Sequence, residues 1–172
     1  YFPHLKSCDT WSFLLGYSKM KQQIMAQINQ RPGIHLRKLQ RNLECSSNTI
    51  NYHIGDLDVR EKKIHGYRRL YPSDIPEYME KPLAALNHKV RGLILYQINS
   101  GSSHSEIAES LEVSKSTVSE HLNILEQDNL INKEMKGRSS EFSLTRNSLE
   151  AFRKYASCLL DVSTERFIQM WE

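Results

Sequence analysis

Residues 43–58 read LECSSNTINYHIGDLD, and 68 positions on, residues 111–126 read LEVSKSTVSEHLNILE. Six of the sixteen positions are identical, and Cys/Val, Ile/Val, Ile/Leu and Asp/Glu pairs keep the chemistry at others. Upstream, Gln27-Ile28-Asn29 matches Gln97-Ile98-Asn99 once two residues are taken out of the connecting turn. A supersecondary unit repeated within one chain is the simplest explanation.

Each copy is helical in period. Ile24 and Ile28 lie one turn apart, Leu36, Leu39 and Leu43 continue at spacings of three and four, and Ile50, Ile54 and Leu57 do so again. The second copy runs Ile94, Ile98, then Ile107, Leu111, then Val118, Leu122, Leu125. Three short amphipathic helices per half follow. Arg31-Pro32-Gly33 and Ser100-Gly101-Ser102 break the first helix from the second, and Ser46 or Ser47 and Ser114 stand where a side-chain oxygen caps the third. So short a connection forces a steep helix crossing, the helix-turn-helix arrangement.

Beyond the third helix the period changes. Ile131, Met135, Phe142 and Leu144 flank Lys136-Gly137-Arg138-Ser139 as a small β-hairpin, and a shorter hairpin is expected over residues 64–71. Pro72, Pro76 and Pro82 disfavour helix and mark a linker. The expected architecture is mainly α with small β-hairpin wings: an N-terminal extension (1–18), a first winged helix-turn-helix domain (19–72), a linker (73–84), a second such domain (85–145) and a C-terminal helical segment (146–172). Asn147 with Glu150 would cap that last helix.

Ser114-x-Ser116-Thr117-Val118-Ser119-x-His121-Leu122-x-x-Leu125-Glu126, followed by Leu130-Ile131, resembles the recognition-helix signature of winged helix-turn-helix regulators of the ArsR and MarR type. Pro32-Gly33-Ile34-His35-Leu36 with Thr49-Ile50-x-Tyr52-His53-Ile54-x-x-Leu57 is similar to the N-terminal unit of archaeal regulators that carry two such domains in tandem. Together the resemblance covers residues 19–145. It implies the fold and a DNA-binding class, and leaves the regulated gene open. The family's Gly before the Leu-Ile pair is Asn129 here, a residue that tolerates a left-handed backbone.

With Ile50, Ile54 and Leu57 turned inward, Asn48, Asn51, Tyr52 and Gly55 point outward on the first third helix. Asn pairs bidentately with adenine in the major groove. Arg37, Lys38 and Arg41 on the preceding helix and His65, Arg68 and Arg69 on the wing are the candidate backbone contacts. The second unit offers Lys115, Ser116, Ser119 and Asn123, with Lys136 and Arg138 in its wing, but Glu106, Glu109 and Glu112 on the preceding helix oppose phosphate. The charge balance agrees: residues 1–80 hold 12 Lys or Arg against 8 Asp or Glu, and residues 81–172 hold 11 against 12. Double-stranded DNA is the expected partner, read by a transcriptional regulator. The rival reading is a winged-helix protein-interaction module.

Composition excludes other classes. Charged residues at 25 % and hydrophobic residues at 39 % are ordinary globular values. No apolar stretch approaches the roughly 18 residues that span a bilayer. Cys8, Cys45 and Cys158 are odd in number and lack ligand spacing, which fits a reducing cytoplasm and no metal site; His4 with Cys8 falls short of a ligand set. No nucleophile elbow, phosphate loop or paired-carboxylate pattern supports an enzyme, a cofactor or a small-molecule substrate. His53 and His121, at equivalent repeat positions, and Cys45 read as structural. A chain that starts at Tyr1 rather than Met is what loss of an upstream region would leave. Leu149, Phe152, Ala156, Leu159 and Leu160 form a stripe extended by Phe167, Ile168, Met170 and Trp171, expected to be buried in a homodimer; the alternative is packing back onto the second unit's first helix or onto residues 11–17.

Overall fold

The computed structural model describes residues 7–136 and 139–160, with side chains over 19–135 and 140–160. The chain divides into two compact units, one ending at Ser73 and the other beginning at Asp74.

In the first unit, α1 (Ser7–Gln30) leads into β1 (Ile34–His35), α2 (Leu36–Leu43), α3 (Ser47–Ile54), β2 (Val59–Ile64) and β3 (Tyr67–Pro72). The helical period at Ile24 and Ile28 belongs to α1, which begins at Ser7 and runs through residue 19 without a break. The strands form an antiparallel sheet in the order β1-β3-β2. Ile24, Ile28, Ile34, Leu39, Ile50 and Leu70 make the core, with Cys45 half-buried against it. The helix starts follow local chemistry. His35 caps α2 by accepting the Lys38 N–H at 3.2 Å, and Ser46 caps α3 by accepting that of Thr49 at 3.1 Å. Glu44, between the two helices, takes the left-handed conformation that ends α2.

The first wing is longer than expected. Its strands are six residues each, joined by the two-residue turn His65-Gly66, both at positive φ. This is the geometry that matches strand twist, and Gly66 takes it without strain. The hairpin starts at Val59 because α3 stops after eight residues, before Gly55, a poor helix former.

The second unit opens with a 3-10 turn (Glu77–Met79) and α4 (Glu80–Leu86), followed by α5 (Lys89–Asn99), α6 (His104–Ser110), α7 (Lys115–Gln127), β4 (Ile131–Lys136), β5 (Ser139–Leu144) and α8 (Arg146–Leu159). The stretch expected as a non-helical linker is therefore largely helical. Pro76 precedes the 3-10 turn and Pro82 sits in the first turn of α4, where its missing N–H has no intrahelical role. Ser103 and Ser114 cap α6 and α7. Asn129 is left-handed at φ 56°, as its side chain allows.

The C-terminal helix corrects a further expectation. α8 packs on α4, and its stripe is internal: Phe152 and Ala156 are fully buried and Leu159 is 3 % exposed, with Leu149 half-buried. The stripe thus gives a homodimer no free surface. The cover comes from α4, which the prolines had hidden, and from α5, where Tyr96 meets Phe152. A side chain at Gly92 would put Cβ 2.6 Å from Leu160 Cδ2, so glycine permits that approach. The helix begins one residue before Asn147, behind its N-cap Thr145, whose hydroxyl lies 3.1 Å from Ser148 Oγ and from the Asn129 carbonyl. Glu150 accepts the Tyr78 hydroxyl at 3.0 Å instead of capping. Phe167, Ile168, Met170, Trp171 and the side chains of residues 11–17 lie outside the described residues.

Candidate nucleic-acid interface

α3 buries Ile50 and His53 (5 % exposed) and turns Asn48, Asn51 and Tyr52 to solvent, the last 66 % exposed. These three form an uncharged polar face. On α2, Arg37 and Arg41 are exposed one turn apart and Lys38 is half-buried. Beside them is an open groove of about 660 Å³ lined by His35, Arg37, Gln40, Arg41, Cys45 and Tyr67. Burial, and then the charges of Arg69, Arg41, Lys38 and Arg37, push the His35 imidazole below its ordinary pKa, consistent with its role as a neutral acceptor at the α2 cap.

The wing holds two arginines in different states. Arg68 is exposed and makes a two-point contact with Glu61, Nε to Oε1 at 2.7 Å and Nη2 to Oε2 at 2.6 Å, while Nη2 also donates to Asn51 Oδ1 at 3.3 Å. The hydrogen bond from Arg68 holds the Glu61 carboxyl below its usual range. Arg69, expected on a phosphate, is instead 3 % exposed and donates to the Gly33 carbonyl at 2.8 Å. Alternation along β3 puts it on the face opposite Arg68 and opposite His35 of β1 in register. It ties the β1 connection to the wing rather than reaching for DNA. His65 is exposed in the wing turn.

Lys62 and Lys63, exposed on β2, are cations that the sequence reading missed. Lys63 faces Arg68 across the ladder. Residues 59–64 show no apolar alternation to mark them as a strand, so a hairpin start placed at Ile64 left both lysines outside the wing.

In the second unit, Lys115, Ser116, Ser119 and Asn123 are exposed on α7 and Lys133 on β4. Lys136 and Arg138 lie outside the residues whose side chains are described. Several hydroxyls are engaged locally: Ser116 Oγ is 2.7 Å from Ser114 Oγ, and Ser119 Oγ donates to the Lys115 carbonyl at 2.9 Å and lies 3.0 Å from His104 Nε2. A cleft of about 400 Å³ between α7 and the wing is lined by His104, Ser119, Asn123, Lys133 and Phe142 among others. Glu106 closes a capping box with Ser103, whose backbone N–H donates to it at 2.6 Å and holds its carboxyl low; Glu109 and Glu112 stay exposed. His121 is half-buried with its ring 5.4 Å from that of His88, and burial, then Arg91, lowers its pKa. Among the described residues no group of three or more His, Cys, Asp or Glu is placed to hold a metal, and no helix is long and apolar enough to cross a membrane.

The model of the bacterial regulatory protein arsR family matches residues 88–133, and a model of an N-terminal HTH domain matches residues 18–83. An uncharacterized HTH-type transcriptional regulator of Methanocaldococcus jannaschii is 25 % identical over 135 residues, covering 76 % of this chain and 34 % of that protein. This chain spans about a third of that relative's length. Among solved structures, reduced HlyU from Vibrio cholerae is 28 % identical, covering 42 % of this chain and 83 % of its own, with a TM-score of 0.37. A mutant of MepR from S. aureus is 22 % identical, covering 58 % and 74 %, with a TM-score of 0.35.

Proposed function

We infer that this chain, two winged helix-turn-helix domains in tandem of which the second is an ArsR-family HTH domain, is a DNA-binding transcriptional regulator whose first unit dominates recognition. The carrying observation is the face of that first unit. Asn48, Asn51 and Tyr52 form an uncharged exposed face on α3, with exposed cations on α2 before it in the chain and on the wing after it. Polar side chains on the helix reach base edges in the major groove, while Arg37, Lys38, Arg41, His65 and Lys63 sit where the flanking backbone would run. The second unit, with Lys115, Ser116, Ser119 and Asn123 beside Glu109 and Glu112, supplies a subsidiary contact.

Homodimerisation is part of this proposal, because helix-turn-helix proteins commonly read half-sites about one DNA turn apart. Its interface lies elsewhere than the α8 stripe. The setting is cytoplasmic, where a regulator meets its operator.

A salt titration of duplex binding tests the reading. Each phosphate neutralised contributes about 0.9 to the slope of log affinity against log salt. Loss of Arg37 and Arg41 together should flatten the slope by about twice that amount, whereas loss of Lys115 should change it less. Unchanged affinity and slope on removing both arginines would reject the docking face. Solution mass with and without DNA tests the dimer.

A further inference from the structure

Chemistry dictates the orientation of the Asn51 amide. A guanidinium has only donors, so the atom of Asn51 that meets Arg68 Nη2 at 3.3 Å must be the carbonyl oxygen. The amide nitrogen is then turned away from the wing. Arg68 itself does not swing freely, because Glu61 holds Nε and Nη2 in a two-point contact at 2.7 and 2.6 Å. Glu61 lies on β2 two residues from Lys63, which faces Arg68, so the three side chains share the sheet face that looks toward α3.

We propose that Arg68 is a positioning residue for base reading: clamped by Glu61, it fixes the Asn51 amide with its carbonyl toward the wing and its Nδ2 hydrogens toward an adenine edge. This rests on the DNA-binding reading above and adds to it a specificity device. Adenine offers N7 as acceptor and its amino group as donor. The fixed Nδ2 donates to N7, and the second lone pair of Oδ1 accepts from the amino group. An amide free to flip would present donor and acceptor in either order and read the position less strictly. Arg68, committed in this way, is not a simple phosphate contact, and the carboxylate of Glu61 is kept on a DNA-facing wing at an electrostatic cost.

That cost makes the proposal separable from plain charge. The experiment selects a preferred duplex with the whole chain and then measures binding of wild type, Asn51→Ala, Glu61→Ala and Glu61→Gln to that duplex and to its single-base variants, across salt. Wild type should discriminate at one A·T pair by about tenfold or more, the range of a bidentate contact, and Asn51→Ala should lose it. Glu61→Ala removes a negative charge, so it should bind unrelated duplex more tightly, with a slope steeper by about 0.9 as Arg68 turns to a phosphate, yet lose most of the discrimination at that pair. Glu61→Gln, which keeps an acceptor without the charge, should fall between. If Glu61→Ala keeps the wild-type preference while Asn51→Ala loses it, the positioning role is wrong and the DNA reading stands. If wild type selects no sequence, both are wrong.

Discussion

The two units enter their recognition helices alike and leave them differently. Ser46 and Ser114 cap with the same hydroxyl geometry, and Glu44 and Glu112, one on each preceding turn, are both left-handed at φ 50° and 53°. Then α3 stops after eight residues and α7 after thirteen. The wing that follows is displaced by 72 positions between units instead of 68. What aims a recognition helix has been kept, and what sets the distance from helix to wing has not. The surfaces diverge as well, to cations and one clamped carboxylate in the first unit and to hydroxyls and open carboxylates in the second.

The largest effect expected separates the units by stability. Phe152→Ala should destabilise the second unit by about 3–5 kcal/mol, a buried aromatic lost from between α8 and its neighbours, with no change in solution mass. A change in mass without a change in denaturation midpoint would return α8 to the role of a dimer handle. Next comes the contrast within the first wing. Arg69→Ala should cost about 1.5–3 kcal/mol, the range for a hydrogen bond to a charged group, whereas Arg68→Ala, at an exposed site, should leave thermal stability within about 0.5 kcal/mol. Equal effects of the two substitutions would undo the assignment of opposite faces.

The smallest effect sharpens the comparison through pH. Equivalent cap positions carry His35 in one unit and Ser103 in the other. The folded-state pKa of His35 lies below its ordinary value of 6.5, so its contribution is complete above about pH 6.5 and is lost as pH falls through the depressed value. The Glu106 carboxyl in the second unit's capping box is also depressed, from 4.5, so that cap persists until pH falls below about 4.5. His35→Asn should keep the cap and remove its share of the decline, about 1 kcal/mol, in thermal midpoints followed from about pH 7.5 to 5. His121, depressed mainly by burial, adds a decline of its own in the second unit, so the difference between variant and wild type is the diagnostic quantity.

Short-range chemistry was legible without coordinates. The serine caps, the turn at Asn129 and the outward set Asn48, Asn51 and Tyr52 all depend on residues within one or two turns of each other, and the repeat is a property of the sequence itself. Arg69 and the Lys62-Lys63 pair depended on something longer. Which strand residues face outward follows from where the hairpin starts, and that follows from where α3 stops; a start placed at Ile64 instead of Val59 cost the lysines and left Arg69 beside Arg68 as an equivalent. The cover of α8 was hidden for another reason. Proline signals a break in a helix interior but is tolerated in a first turn, and sequence alone did not place Pro82 in that turn.

The contact between Tyr78 and Glu150 joins residues 72 positions apart, and Thr145 fastens the start of α8 to the carbonyls before β4. During synthesis this separates the two units in time. Every strand and helix of the first is complete once Ser73 has emerged, and its closing pairs, β1 with β3, span fewer than 40 positions. The second cannot bury the α8 side of α4 until the chain has been extended through Leu159. Closing the longer loop costs little extra free energy, since that entropy grows only logarithmically, but it must wait for translation. The unit with the basic reading face is therefore expected to be a folded domain while its neighbour is still being made.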